Sequence, residues 1–81
     1  MFKITKTTHR EVETLESHLS FRQAKHLLKG LHCIKRSEAV KRGKIAVSKI
    51  VQTPIDNASF SVVKDIDDVY VVTIYQAEQE N

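Results

Sequence analysis

Residues 59–76 read SFSVVKDIDDVYVVTIYQ, and this stretch decides the fold. Apolar and polar residues alternate in its first half, and β-branched and aromatic residues fill its second half, as is typical of strands. Asp67 and Asp68 separate the two halves at the position of a two-residue turn, so the stretch predicts a β-hairpin. The second strand carries apolar residues on both faces, which predicts that it lies inside the sheet and not at an edge. Val72 and Ile74 are expected to face a packed interior.

The N-terminus combines a short strand pattern with a helical one. Residues 2–6 alternate weakly between apolar and polar side chains, which predicts an edge strand. Thr8 followed by Glu11 has the spacing of a capping box, in which a hydroxyl and a carboxylate satisfy free amide groups at the start of a helix. Apolar residues then recur at helical intervals, so a first helix is expected over about residues 9–19.

Further helices are expected in the middle of the chain. Ser20 opens a second capping box, and an apolar stripe follows it up to Gly30, a residue suited to close a helix. Two short antiparallel helices or one kinked helix satisfy this part. Ser37 is suited to cap another helix. Residues 38–52 are either helical throughout or form a short helix that ends at Gly43 before a strand, and their β-branched residues favour the second interpretation.

These patterns predict one small α+β domain over residues 1–81. It consists of an N-terminal edge strand, two or three short helices and a C-terminal antiparallel sheet that ends in the β-hairpin. If residues 38–52 are all helical, the order of elements is winged-helix-like, which is the alternative fold. Residues 54–57 form a turn cluster, and the polar tail 77–81 is expected to fray. The chain is too short for two independent cores.

Several kinds of site are not supported by the sequence. The single cysteine, Cys33, excludes a disulfide framework, and the four histidines lack the spacing of metal ligands on a helix. Two glycines cannot build a phosphate-cradling loop. No catalytic residue, metal ligand or cofactor is therefore predicted. The absence of a long apolar run argues against a signal peptide or a membrane span, so a cytoplasmic location is expected.

Charge is distributed unevenly along the chain, whose formal net charge is +3. Residues 1–21 sum to zero, residues 22–49 hold nine basic residues against one acidic, and residues 50–81 hold one basic against six acidic. Nucleic-acid affinity is built largely from Lys and Arg contacts with phosphates, so the central segment is the candidate interface. Its candidate contact residues are Arg22, Lys25, Lys29, Lys35, Arg36, Lys41, Arg42, Lys44 and Lys49.

We therefore expect a small non-enzymatic regulatory protein that contacts nucleic acid through this basic segment. The alternative is a stand-alone protein-binding inhibitor or adaptor, of the type that phages and mobile elements encode, which occludes a larger protein complex. Such a complex could itself handle nucleic acid. A homodimer is a further expected assembly, since a domain this small buries a modest share of its surface.

Overall fold

The computed structural model describes residues 1–52 and 57–80, in which one long helix packs against one face of a six-stranded antiparallel sheet. The elements in chain order are β1 (Phe2–Thr8), β2 (Glu11–Leu19), α1 (Phe21–Arg42), β3 (Ile45–Val47), β4 (Val51–Gln52), β5 (Ala58–Ile66) and β6 (Val69–Gln79). The strand order is β2-β1-β6-β5-β3, and β4 also pairs with β5. The sheet is therefore built from two long hairpins joined through β1 and β6.

The prediction of a first helix over about residues 9–19 is wrong, because these residues form a hairpin with β1. His9 and Arg10 both have positive φ angles, 51° and 69°, as the two-residue turn favoured by strand twist requires. Thr8 and Glu11 are thus cross-strand partners and not a capping box. The apolar residues of β2 have a helical spacing, but pairing with β1 outweighs this local preference. Most of β2 is exposed. The N-terminal strand is also not at an edge, since β1 lies between β2 and β6.

The structure has one continuous helix, α1, where further short helices were predicted. The expectation of two or three short helices is therefore wrong, and the winged-helix-like alternative is wrong as well. The capping box at Ser20 is confirmed, because the Gln23 N–H donates to Ser20 Oγ and the Ser20 N–H donates to Gln23 Oε1. Gly30 lies inside α1, where an interior glycine costs about 1 kcal/mol relative to alanine. The sheet-facing residues on either side of Gly30 form one stripe, and their burial outweighs that cost. The helix ends at Gly43, and strand β3 follows.

The core lies between α1 and the sheet. Ala24 and Leu28 are the fully buried residues of the helix. The sheet side of the core consists of Phe2 and Ile4 from β1, Ala58, Phe60 and Val62 from β5, and Tyr75 and Ala77 from β6. The Phe60 and Tyr75 rings stack with centroids 5.1 Å apart. The helix thus has one buried side, and its opposite side is free of other described elements.

The C-terminal hairpin is present, and Asp67 and Asp68 form its turn with φ angles of 52° and 65°. Tyr75 faces the helix, and side chains alternate along a strand, so Val72 and Ile74 lie on the other face. They are 47% and 41% exposed. The prediction that they face a packed interior is wrong, because both side chains are exposed on the face opposite α1, which we call the open face.

Two predicted features concern segments that the structure describes in part. The turn predicted over residues 54–57 lies outside the described residues except for Asn57. In the tail, Ala77 is buried within β6, and the Glu80 N–H donates to the carbonyl of Met1 at 2.9 Å. Asn81 lies outside the described residues.

Candidate nucleic-acid interface

Four of the predicted contact residues share one flank of α1. Arg22, Lys25, Lys29 and Arg36 follow one another at intervals of three, four and seven residues, which place side chains on the same side of a helix. We call this row the basic ridge. At 1.5 Å per residue, it is about 21 Å long. Lys25 is half-buried, and its Nζ lies 5.1 Å from the centroid of the Phe21 ring, which holds the charge close to the helix.

The basic ridge borders the segment that leads from β3 to β4. Lys25 and Lys29 line a depression together with Ile50 of that segment and Gln52 of β4. His32 fixes the segment, because its Nε2 is 2.8 Å from the carbonyl oxygen of Ser48 and its ring packs edge-on against a core phenylalanine. Lys49 is exposed and directly follows Ser48, whose carbonyl His32 contacts.

A second group of basic residues surrounds the C-terminal end of the helix. Lys41, Arg42 and Lys44 are all exposed and flank Gly43, whose φ angle is 64°. Lys41 and Arg42 occupy the last helical turn, where positive charge interacts favourably with the helix dipole. We call these three residues the C-terminal cluster. It meets the basic ridge at Lys41, which lines one depression of the helix surface together with Arg36, whereas Lys44 lines a separate depression with Asp65 and Tyr70.

Lys35 is separated from the other candidates by its contacts. Its Nζ lies 3.7 Å from Glu38 Oε1 and 5.7 Å from the centroid of the Tyr75 ring. This places Lys35 on the sheet side of α1, where its charge is already paired. Within residues 1–52 and 57–80, none of the other eight candidates makes an ion pair. The described acidic residues of the C-terminal third therefore do not neutralise the basic surface by direct contact.

Other chemistry-bearing residues are dispersed. His32 and Cys33 are neighbours in sequence, but the imidazole contacts Ser48 and Phe60 while the cysteine is exposed on the outer side of α1. Across the described part of the chain, no three His, Cys, Asp or Glu side chains are grouped as metal ligands would be. No helix in that part is both long enough and apolar enough to cross a membrane.

The sequence predicted the basic residues but not the role of His32. A histidine that joins the helix to the β3–β4 segment depends on a contact across 16 residues of chain, for which no local pattern exists. Comparisons of the chain with protein-family models, with curated proteins and with solved structures found no match.

Proposed function

We propose that this chain is a non-enzymatic nucleic-acid-binding protein that uses the basic ridge, the C-terminal cluster and Lys49 to contact phosphates. One observation carries the proposal. Eight basic side chains, unpaired within the described residues, lie along and around the one described helix, whose outer side no described element covers. Unpaired Lys and Arg side chains release the counterions condensed on nucleic acid when they meet phosphates, and this release is favourable.

The dimensions of the helix fit a duplex. The major groove is about 12 Å wide and admits an α-helix. A ridge of about 21 Å spans about six base-pair steps at 3.4 Å per step. The outer line of α1 includes Gly30, Cys33 and Ser37, whose small side chains permit close approach of the helix backbone.

The same surface offers little for reading bases. No aromatic residue lies between Arg22 and Lys49, so stacking on unpaired bases is not supported there. Phosphate contacts position a protein without carrying sequence information. We therefore expect binding with low sequence preference, stronger to duplex than to single strands because the ridge is straight and rigid.

Fluorescence anisotropy with labelled duplex and single-stranded oligonucleotides at several salt concentrations tests the proposal. The logarithm of the binding constant should fall linearly with the logarithm of salt, with a slope of about −0.9 for each phosphate contact. Replacing Arg22, Lys29 and Arg36 together by Gln should reduce the magnitude of that slope by about 2 to 3.

A matched control removes three positive charges elsewhere, through Lys6→Gln, Arg10→Gln and Lys64→Gln. This variant has the same net charge as the ridge variant but keeps the ridge. Equal losses in the two variants would show that net charge alone attracts the oligonucleotide and that the ridge is not a site. Absence of binding by the wild type at low salt would reject the proposal and favour the protein-binding alternative.

A further inference from the structure

The open face of the sheet carries few charges. Strands β1, β5 and β6 place three charged side chains on it, those of Lys3, Asp65 and Glu78, and Lys44 borders it next to Asp65 and Tyr70. Lys3 and Glu78 pair with each other at 3.7 Å. The other positions that these strands place on the face hold Thr, Ser, Gln, Val, Ile or Tyr. The open face thus differs sharply from the helix side of the molecule, where the basic residues are concentrated.

Apolar side chains occupy the centre of the open face. Val72 and Ile74 lie next to Val63 and Ser61, their cross-strand partners on β5. Tyr70 continues the row at one end and is 69% exposed. The row is bordered by hydroxyl and amide side chains and, at Tyr70, by its cross-strand partner Asp65. Exposed apolar patches with a polar border are typical of interaction sites.

We propose that a second copy of this chain covers the open face, so that two sheets pack face to face in a two-fold symmetric dimer. A two-fold interface brings each patch against the same patch of the other copy, so the patch must not place like charges against each other. The centre of the open face, where Val63, Val72 and Ile74 lie, carries no charge and meets this condition. Face-to-face sheets pack about 10 Å apart through side chains such as Val, Ile and Tyr, which this patch supplies.

Charge argues against a dimer that packs through the helix sides. Helix α1 carries seven basic residues against one acidic, so pairing two helix sides would bring like charges together. Packing through the open faces instead leaves both helices on the outer sides of the dimer, as far apart as the fold allows. This inference does not depend on the proposed function, although the dimer would present two basic ridges in opposite directions.

Sedimentation velocity without nucleic acid tests the dimer. The wild type should change from a 9.3-kDa species at high dilution to a species of twice that mass at up to about 100 µM. Val72→Lys places a charge in the centre of the interface and should keep the chain monomeric over that range. Val40→Lys adds the same charge on the outer side of α1 and should leave the dimer intact.

Ile74→Thr keeps a β-branched residue in the strand and serves as a milder second variant if the lysine variant does not fold. It should weaken dimerisation at least tenfold. A wild type that remains monomeric at the highest concentration would overturn the inference and leave the face to solvent or to a different protein. Equal dimerisation of Val72→Lys, Val40→Lys and the wild type would also overturn it.

Discussion

Two valines in the C-terminal hairpin provide a direct measurement of which face of the sheet meets the core. Val62 lies on the helix-facing side of β5 and is 2% exposed, whereas Val72 lies on the open face of β6 and is 47% exposed. Replacing either residue with alanine removes the same two methyl groups. Any difference in the free energy of unfolding therefore reports the surroundings of the side chain.

Val62→Ala should cost about 2 to 3 kcal/mol. Each buried methyl group contributes about 0.8 kcal/mol by transfer from water, and the cavity left under α1 adds to this loss. Val72→Ala should cost less than about 1 kcal/mol, because about half of its surface is already in water and no closed cavity forms.

Urea denaturation followed by circular dichroism gives both values, with the m-value as a check that the transition remains two-state. The protein concentration should be low enough to keep the chain monomeric. If the open face is covered by a second copy, the cost of Val72→Ala should rise with concentration while that of Val62→Ala stays constant. Equal costs for the two variants in the monomer would refute the assignment of the faces.

The remaining predictions concern the backbone at the ends of elements, and thermal denaturation with circular dichroism tests each of them. Gly30→Ala should stabilise the protein by about 1 kcal/mol, because a Cβ at this helical position meets nothing within 4 Å. Gly43→Ala should instead destabilise it by about 1 kcal/mol, since the φ angle of 64° disfavours a side chain, and a stabilising result would contradict the observed helix end. Asp68→Gly relieves a positive φ angle of 65° in the hairpin turn and should raise stability by about 0.5 to 1 kcal/mol, whereas a loss would indicate a different turn. Ser20→Ala removes the N-cap acceptor of α1 and should cost about 1 kcal/mol, and an unchanged melting temperature would show that the capping box does not contribute.

The features that the sequence determined by itself are those with local causes. The capping box at Ser20 and the end of the helix at Gly43 depend on residues within one turn of each other. The turn at Asp67 and Asp68 depends on the two strand patterns that flank it. The basic surface was also predictable as a segment, because clustered Lys and Arg residues stay exposed in almost any fold.

Tertiary structure decided the rest, because the deciding contacts join residues far apart in the chain. Strand β2 exists because it pairs with β1, and the local helical spacing of its apolar residues carries less weight than that pairing. Val72 is exposed because α1 covers the opposite face of the sheet, and a strand with apolar residues on both sides does not reveal which side will be covered. Lys35 differs from its neighbour Arg36 because successive residues of a helix point about 100° apart, so one reaches Glu38 and Tyr75 while the other joins the basic ridge. The number of charges could be read from the sequence, but their arrangement into one surface depended on where the helix packs.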